Sequence, residues 1–222
     1  MCGRYTLLAD ELTIRQRFDI AHEIEDYRPS YNIAPSEQVL AVIHDGKKRR
    51  AGYLKWGLVP AWAKDEKIGN KMINARSETA HVKPSFKNLM ARKRCLVIAD
   101  SFYEWQKTEE GKVPKRIQLE SKEPFAFAGL WDKWHRDGKT LFTCTLLTRD
   151  SNEFMKNIHH RMPIILPKDK EDLWMKQSFL HARDAHEFLA SVQAQSLAAY
   201  TVSDYVNNAK NDGAACIEPI AN

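Results

Sequence analysis

Cysteine is the second residue, in the opening Met1-Cys2-Gly3-Arg4, and that position gives it a chemistry that internal cysteines lack. A small residue after the initiator allows Met1 to be removed, which leaves Cys2 with a free α-amine and a thiol on adjacent carbons. Reference pKa values of about 7.7–8.0 for the amine and about 8.5 for the thiol leave useful fractions of both unprotonated near neutral pH. Such a 1,2-aminothiol condenses with an aldehyde to an imine, and the thiolate then closes a five-membered thiazolidine ring. An internal cysteine cannot do this, because its nitrogen is an amide. Burial as a small hydrophobe is the ordinary fate of an arbitrary cysteine. Position two, followed by Gly3, which lets a ligand approach the backbone closely, argues for reactivity instead.

Other side chains have the types that such chemistry needs. Glu104 lies between Tyr103 and Trp105, where aromatic neighbours can desolvate the carboxyl and raise its pKa into the range useful for general acid catalysis. The bland alternative is an exposed strand glutamate. His159 and His160 are adjacent; an imidazole shuttles protons at neutral pH, and on an extended segment only one of the two faces a given site. A cap or a solvated turn is the competing reading of the pair. Asn74 offers a donor and an acceptor from one amide, although as a lone Asn it reads as a turn residue. Arg4, Arg76 and Arg161 each neighbour one of these residues in sequence, so a fold that assembles the site gathers three guanidiniums suited to phosphate. Ion pairing with Glu78 or Asp100 is expected to claim about one of the three. In Trp56-Gly57-Leu58-Val59-Pro60-Ala61-Trp62, Trp56 reads as core and Trp62 as a surface ring able to stack on bases. Lys71, Lys83, Lys87, Arg92, Lys93 and Arg94 surround Asn74 in sequence and extend the basic surface.

The elements that must position these groups are short. Asp10 caps a helix through Phe18, and Pro29 to Pro35 reads as a loop. Strands are expected at Gln38–His44, Arg50–Trp56, Arg94–Ala99, Phe102–Lys107, Pro114–Leu119, Phe125–Leu130, Leu141–Thr148, Pro163–Leu166 and Ala198–Ser203, with Asp45-Gly46 turning the first pair. Helices are expected at Pro84–Met90, Asn152–Ile158, Lys168–Met175 and Asp184–Gln193. Without regular βαβ alternation, this pattern predicts an α+β fold on a curved, antiparallel, barrel-like sheet with flanking short helices. The 222 residues, 43% of them hydrophobic, suit a single domain over residues 1–222. A charge of +5 permits a polyanionic partner without requiring one. Cys2, Cys95, Cys144 and Cys216 are far apart, so no zinc spacing appears, and they read as reduced thiols. No signal segment or membrane-length apolar run is present, and a soluble cytoplasmic protein is expected.

Taken together, Met1-Cys2-Gly3-Arg4, Tyr31-Asn32-Ile33-Ala34-Pro35, Ile73-Asn74-Ala75-Arg76-Ser77-Glu78-Thr79, Phe102-Tyr103-Glu104-Trp105 and Ile158-His159-His160-Arg161-Met162-Pro163 closely resemble the SOS-response-associated peptidase (SRAP) family of abasic-site-processing proteins. The same order holds from Cys2 to roughly residue 165, and Val206-Asn207-Asn208-Ala209-Lys210-Asn211 resembles the family's closing segment. The resemblance implies a sensor of abasic sites in single-stranded DNA that links to them through a Cys2 thiazolidine and shields the strand. It also implies autopeptidase removal of Met1, cross-link reversal and strand cleavage by β-elimination. Cys2, Asn74, Glu104 and His159 would be catalytic, His159 rather than His160 because it occupies the motif position. Arg4, Arg76, Arg161, Trp62 and Pro35 would contact DNA. A monomer is implied, with no cofactor, metal or membrane partner, cytoplasmic and associated with the nucleoid when bound to DNA. Two other classes stay open: an N-terminal-nucleophile hydrolase resembling the glutamine amidotransferases, which share the Met-Cys-Gly opening, and a noncovalent single-strand binder. The first leaves the remaining motifs unexplained; the second predicts that Cys2→Ala keeps all DNA association.

Overall fold

Strand-forming runs follow one another through most of this chain, and each must pair its backbone polar groups with a neighbour. A computed structural model describes residues 2–176 and 179–220. The chain begins with β1 (Tyr5–Leu7), α1 (Glu11–Phe18), β2 (Ser30–Ile33), β3 (Gln38–His44) and β4 (Arg49–Trp56). A 3-10 turn over Glu66–Lys71 leads to β5 (Asn74–Arg76), α2 (Ser77–Ala80) and α3 (Pro84–Arg92). Next come β6 (Arg94–Ala99), β7 (Ser101–Thr108), β8 (Gly111–Leu119), β9 (Phe125–Arg136) and β10 (Lys139–Asp150). Then follow α4 (Glu153–Lys156), β11 (Arg161–Pro163), β12 (Ile165–Leu166), α5 (Lys168–Met175), α6 (Ala182–Ser191) and β13 (Leu197–Thr201).

Five of these strands close into a barrel. β3 pairs antiparallel with β4 from Gln38↔Lys55 to His44↔Arg49, then with β6; β6 pairs with β9, and β9 with β10. The ring closes where β10 meets β4 in parallel, at Thr143↔Lys55 and Cys144↔Trp56. Closure removes the open edges that invite aggregation. β6 is buried along its whole length, from Arg94 to Ala99, as its continuous Cys-Leu-Val-Ile-Ala run requires. Each fully buried Val, Leu or Ile contributes roughly 1.5–3 kcal/mol. Gly129 of β9 is required here, because a Cβ at that position would lie 2.8 Å from the Cys95 sulfur.

A second sheet, in the order β13-β8-β7-β1-β2, lies beside the barrel. A small apolar cluster of Tyr103, Val202, Val206 and Cys216, with Tyr31 and Trp105 at its edge, packs the end of the chain against β7. The α+β, barrel-like expectation holds, although the β4–β10 and β5–β10 pairings are parallel. Several local expectations change. The Pro29 to Pro35 loop contains β2, which pairs with β1. The single strand expected at Pro163–Leu166 divides at Ile164, because β11 pairs with β10 while β12 pairs with β9. The helix expected over Asn152–Ile158 is one turn, capped by the Asn152 side chain. β9 and β10 run on to a turn at Asp137-Gly138, both residues at positive φ, a hairpin signal that was legible in the sequence. No described helix is long and apolar enough to cross a membrane.

Candidate active site

Cys2 precedes β1, and the register of β1 on β7 decides what it meets. Tyr5 pairs with Phe102 and Thr6 with Ser101, and the Tyr103 N–H donates to the Arg4 carbonyl at 2.9 Å. The same register carried outward brings Cys2 close enough to Glu104 for the carboxylate to act on its thiol. Cys2 is fully buried; burial first, and then Glu104, hold its thiol well above the usual range. A thiol in that setting is protonated and weakly nucleophilic until a base takes its proton.

Asn74 arrives on β5, which lies parallel to β10 with Leu146 opposite Asn74. Its Nδ2 donates to the Cys2 carbonyl at 2.8 Å. Its Oδ1 is buried without a hydrogen-bond partner among the described residues, an acceptor left unsatisfied at a cost of about 1–3 kcal/mol. Glu104, 3% exposed on β7, has its pKa pushed up to about 7 by burial. It is therefore a proton donor and, once ionised, a base at neutral pH.

His159 is locked into the turn between α4 and β11. Its N–H donates to the Met155 carbonyl at 2.8 Å, and the Ser151 hydroxyl donates to its carbonyl at 2.6 Å. Burial lowers its pKa, and its Nδ1 lies 3.0 Å from the Arg161 backbone nitrogen and 3.1 Å from the Arg161 carbonyl oxygen, accepting from the first or donating to the second according to the tautomer. Nδ1 lies 4.0 Å from Glu104 Oε1, too long for a hydrogen bond but short enough for one substrate atom to address both groups. The opposite-face expectation for the histidine pair fails. The segment turns, and the His159 and His160 rings stack with centroids 4.4 Å apart. His160 is exposed while His159 is half-buried.

The arginines have separate fates. Arg161 is 5% exposed, with its guanidinium bonded to Glu78 at 2.8 and 2.9 Å, to Asp150 at 2.6 Å and to Thr148 at 3.3 Å. That is the ion-pair fate, and it removes Arg161 from the phosphate clamp as the chain stands. Arg4 donates to Asn32 Oδ1 at 3.0 Å and to the Val206 and Asn207 carbonyls at 2.9 and 3.2 Å, so it holds the closing segment rather than an open site. Buried Asn32 also donates to the carbonyls of Val206, Asn208 and Asn211. Arg76 is exposed, and its guanidinium has no hydrogen-bond or ion-pair partner among the described residues. Lys71, Lys83, Lys87 and Arg92 are exposed, but Lys93 pairs with Asp132 at 2.7 Å and Arg94 is buried on the carbonyls of Trp174, Met90 and Lys176.

Trp56 is fully buried, its indole bonded to the Ile73 carbonyl, and Trp62 is 61% exposed. Trp62 borders a depression with Pro60, Pro84 and Arg92, whereas Pro35 is half-buried at the end of β2. Neither lines the cavity at Glu104. That cavity, of about 540 Å³, is walled by Glu104, Trp105, Asn157, His159 and His160, and rimmed by Lys107, Lys112 and Lys156. The three lysines escaped sequence reasoning because they come from two distant segments. Trp105 is held by its indole N–H on Asn207 Oδ1 at 2.6 Å. Among the described residues no group of three or more His, Cys, Asp or Glu side chains converges as a metal site.

Related sequences match this chain along most of its length. The abasic site processing protein YoaM of Bacillus subtilis is 47% identical over 222 residues, covering 98% of both chains. The abasic site processing protein HMCES of Gallus gallus is 35% identical, covering 87% of this chain and 67% of its own. A crystal structure of a Bacteroides thetaiotaomicron protein superposes with a TM-score of 0.87 at 23% identity, covering 99% of this chain and 100% of that one, and shares the fold. The sequence profile described as SOS response associated peptidase matches residues 1–209, a span that takes in the Cys2, Asn74, Glu104 and His159 segments together, and the chain therefore belongs to that family.

Proposed function

We propose that the protein senses abasic sites in single-stranded DNA and joins them covalently through Cys2 once Met1 has been removed. The reading rests on one observation above all: Cys2, a carboxyl that titrates near pH 7 and a neutral imidazole come together from three distant segments. The carboxyl is Glu104 and the imidazole His159. An abasic sugar is mostly a closed hemiacetal, and a proton from Glu104 to the ring oxygen, with the anomeric hydroxyl proton passing to His159, breaks the ring C–O bond and gives the open aldehyde. The Cys2 amine attacks the aldehyde carbon, water leaves and an imine forms. Glu104, now ionised, takes the thiol proton; the thiolate adds to the imine carbon and the nitrogen is protonated, closing the thiazolidine. Asn74 Oδ1 accepts from the Cys2 amine while its Nδ2 holds the carbonyl. His159 carries protons at the opened sugar, in the forward direction and in reversal.

Self-removal of Met1 and strand scission by β-elimination from the shared imine belong to the same proposal. Arg76 would engage phosphate and Trp62 would stack on a flanking base, with Pro35 shaping the approach and Arg4 acting through the closing segment. Arg161 would join the clamp only by exchanging Glu78 and Asp150 for phosphate oxygens. The protein would act as a monomeric, single-domain unit in the cytoplasm, on the nucleoid when bound. Incubation with labelled single-stranded DNA carrying an abasic site should give an adduct that survives boiling in detergent, with little from intact or fully duplex DNA. Complete absence of the adduct from a preparation whose intact mass shows loss of Met1 sinks the proposal. Cys2→Ser should still give an imine trapped by borohydride but no stable ring.

A further inference from the structure

We infer that the cavity beside Glu104 and His159 is a nucleotide subsite, whose lysine rim holds the phosphate of the nucleotide next to the abasic sugar. The inference rests on the abasic-DNA reading above and deepens it by assigning the ground beside the reacting centre. Lys107 and Lys112 are direct cross-strand partners near the end of the β7–β8 hairpin, and both line the cavity. Like charges directly opposite one another destabilise a strand pair, so a shared anion between them would relieve the repulsion. Lys156 joins them from the end of α4, just before the chain connection that carries His159. Glu153 pairs with Lys156 but is largely exposed, and such a surface pair is weak enough to yield to a phosphate.

The cavity's dimensions and walls fit more than a bare anion. Its volume of about 540 Å³ lies within the roughly 300–1,000 Å³ of small-ligand clefts, and one wall is the Trp105 ring. The Trp105 indole is fixed by Asn207, and the neighbouring strand residue Gln106 donates to the Asn157 carbonyl at 2.8 Å. Wall and rim are therefore built on hydrogen-bonded backbone, not on mobile tips alone. An aromatic face for a sugar or base, ammonium groups for a phosphate and a proton-transfer pair at the inner end are the parts that a nucleotide flanking an opened sugar requires. A phosphate at the rim would also draw protons toward His159, because Lys107 is among the charges that lower its pKa and its neutralisation raises that pKa.

The test uses Lys107→Ala/Lys112→Ala/Lys156→Ala in a Cys2→Ala background, so that binding is read without cross-linking. Lys47→Ala/Lys48→Ala/Lys122→Ala serves as an equal charge change at exposed positions outside the cavity. Fluorescence anisotropy with abasic single strands should show a ten- to hundredfold weakening, the scale of about one or two charge-assisted hydrogen bonds. The salt dependence should fall by about 0.7 for the one phosphate lost, and the control should stay within about twofold of the parent. A methylphosphonate on one side of the lesion, 5′ or 3′, should abolish the difference between parent and cavity variant, and so identify which neighbour occupies the subsite. Cavity and control variants with equal losses overturn the inference. Thymidine 5′-monophosphate supplies a second readout that needs no lesion. It should protect the three lysines from acylation, read by mass spectrometry, and absence of protection also overturns the inference. Protection in a protein that never cross-links abasic DNA would sink the abasic reading and leave the subsite standing.

Discussion

The side-chain amide of Asn74 donates to the carbonyl of Cys2 at 2.8 Å across 72 residues of chain, and its own oxygen is left buried without a partner among the described residues. One amide thus anchors the Cys2 backbone and keeps an acceptor for the proposed chemistry. Asn74→Ala should keep the fold and slow adduct formation about tenfold, the scale of one lost hydrogen bond at a reacting group. Asn74→Asp should be slower still, because a carboxylate oxygen replaces the donor facing the Cys2 carbonyl. Single-turnover cross-linking with stability read by thermal melt checks both; an unimpaired Asn74→Ala would remove the anchor from the mechanism.

Glu104 should make the protein less stable as pH rises. Its folded pKa of about 7 lies above the ordinary 4.5, so between those values the unfolded chain loses a proton that the folded chain keeps, and stability falls with pH. Glu104→Gln should match the parent below about pH 4.5 and exceed it above about pH 7. The difference should approach roughly 3 kcal/mol as an upper bound. The same variant should cross-link ~10²–10⁴-fold more slowly while binding DNA normally. Chemical denaturation at several pH values separates the two effects, and a parent more stable than the variant at pH 8 would contradict the buried-acid assignment.

For the histidine pair, His159→Ala should impair adduct formation or its reversal at neutral pH while affinity is retained. His160→Ala should behave nearly as the parent at pH 8. Because a charged His160 lowers the pKa of its stacked neighbour, His160→Ala should move the lower limb of the pH–rate profile upward. A slow His160→Ala with a normal His159→Ala reverses the assignment.

Arg161 and Arg76 should part company. Arg161→Ala removes a buried guanidinium from Glu78, Asp150 and Thr148. Because both carboxylates remain largely solvated, the expected loss is about 1–3 kcal/mol, seen as a lower melting temperature. Arg76→Ala should leave the melting temperature unchanged and weaken DNA binding in a salt-sensitive manner. Equal melting temperatures for the two variants would show that the ion pairs of Arg161 carry no stability.

Local chemistry was legible before any tertiary information. The aminothiol potential of Cys2, the desolvated setting of Glu104 between Tyr103 and Trp105, the Asp10 cap, the Asp45-Gly46 turn and the fully apolar β6 all follow from residues adjacent in the chain, because caps, turns and strand periodicity are short-range properties. Motif order was enough to nominate Asn74 and His159, but not to show what they touch. Only the folded chain decided that Arg161 is spent on Glu78 and Asp150, that Arg4 grips the closing segment, and that Arg94 lies inside on carbonyls. It also decided that Lys107, Lys112 and Lys156 line one cavity and that the His159 and His160 rings stack. These are consequences of strand register and barrel closure. A guanidinium pairs with the carboxylates that the fold brings within reach, and only the pairing of β10 with β5, whose partners lie some 70 residues apart, and with β11 beside it, places Glu78 within reach of Arg161.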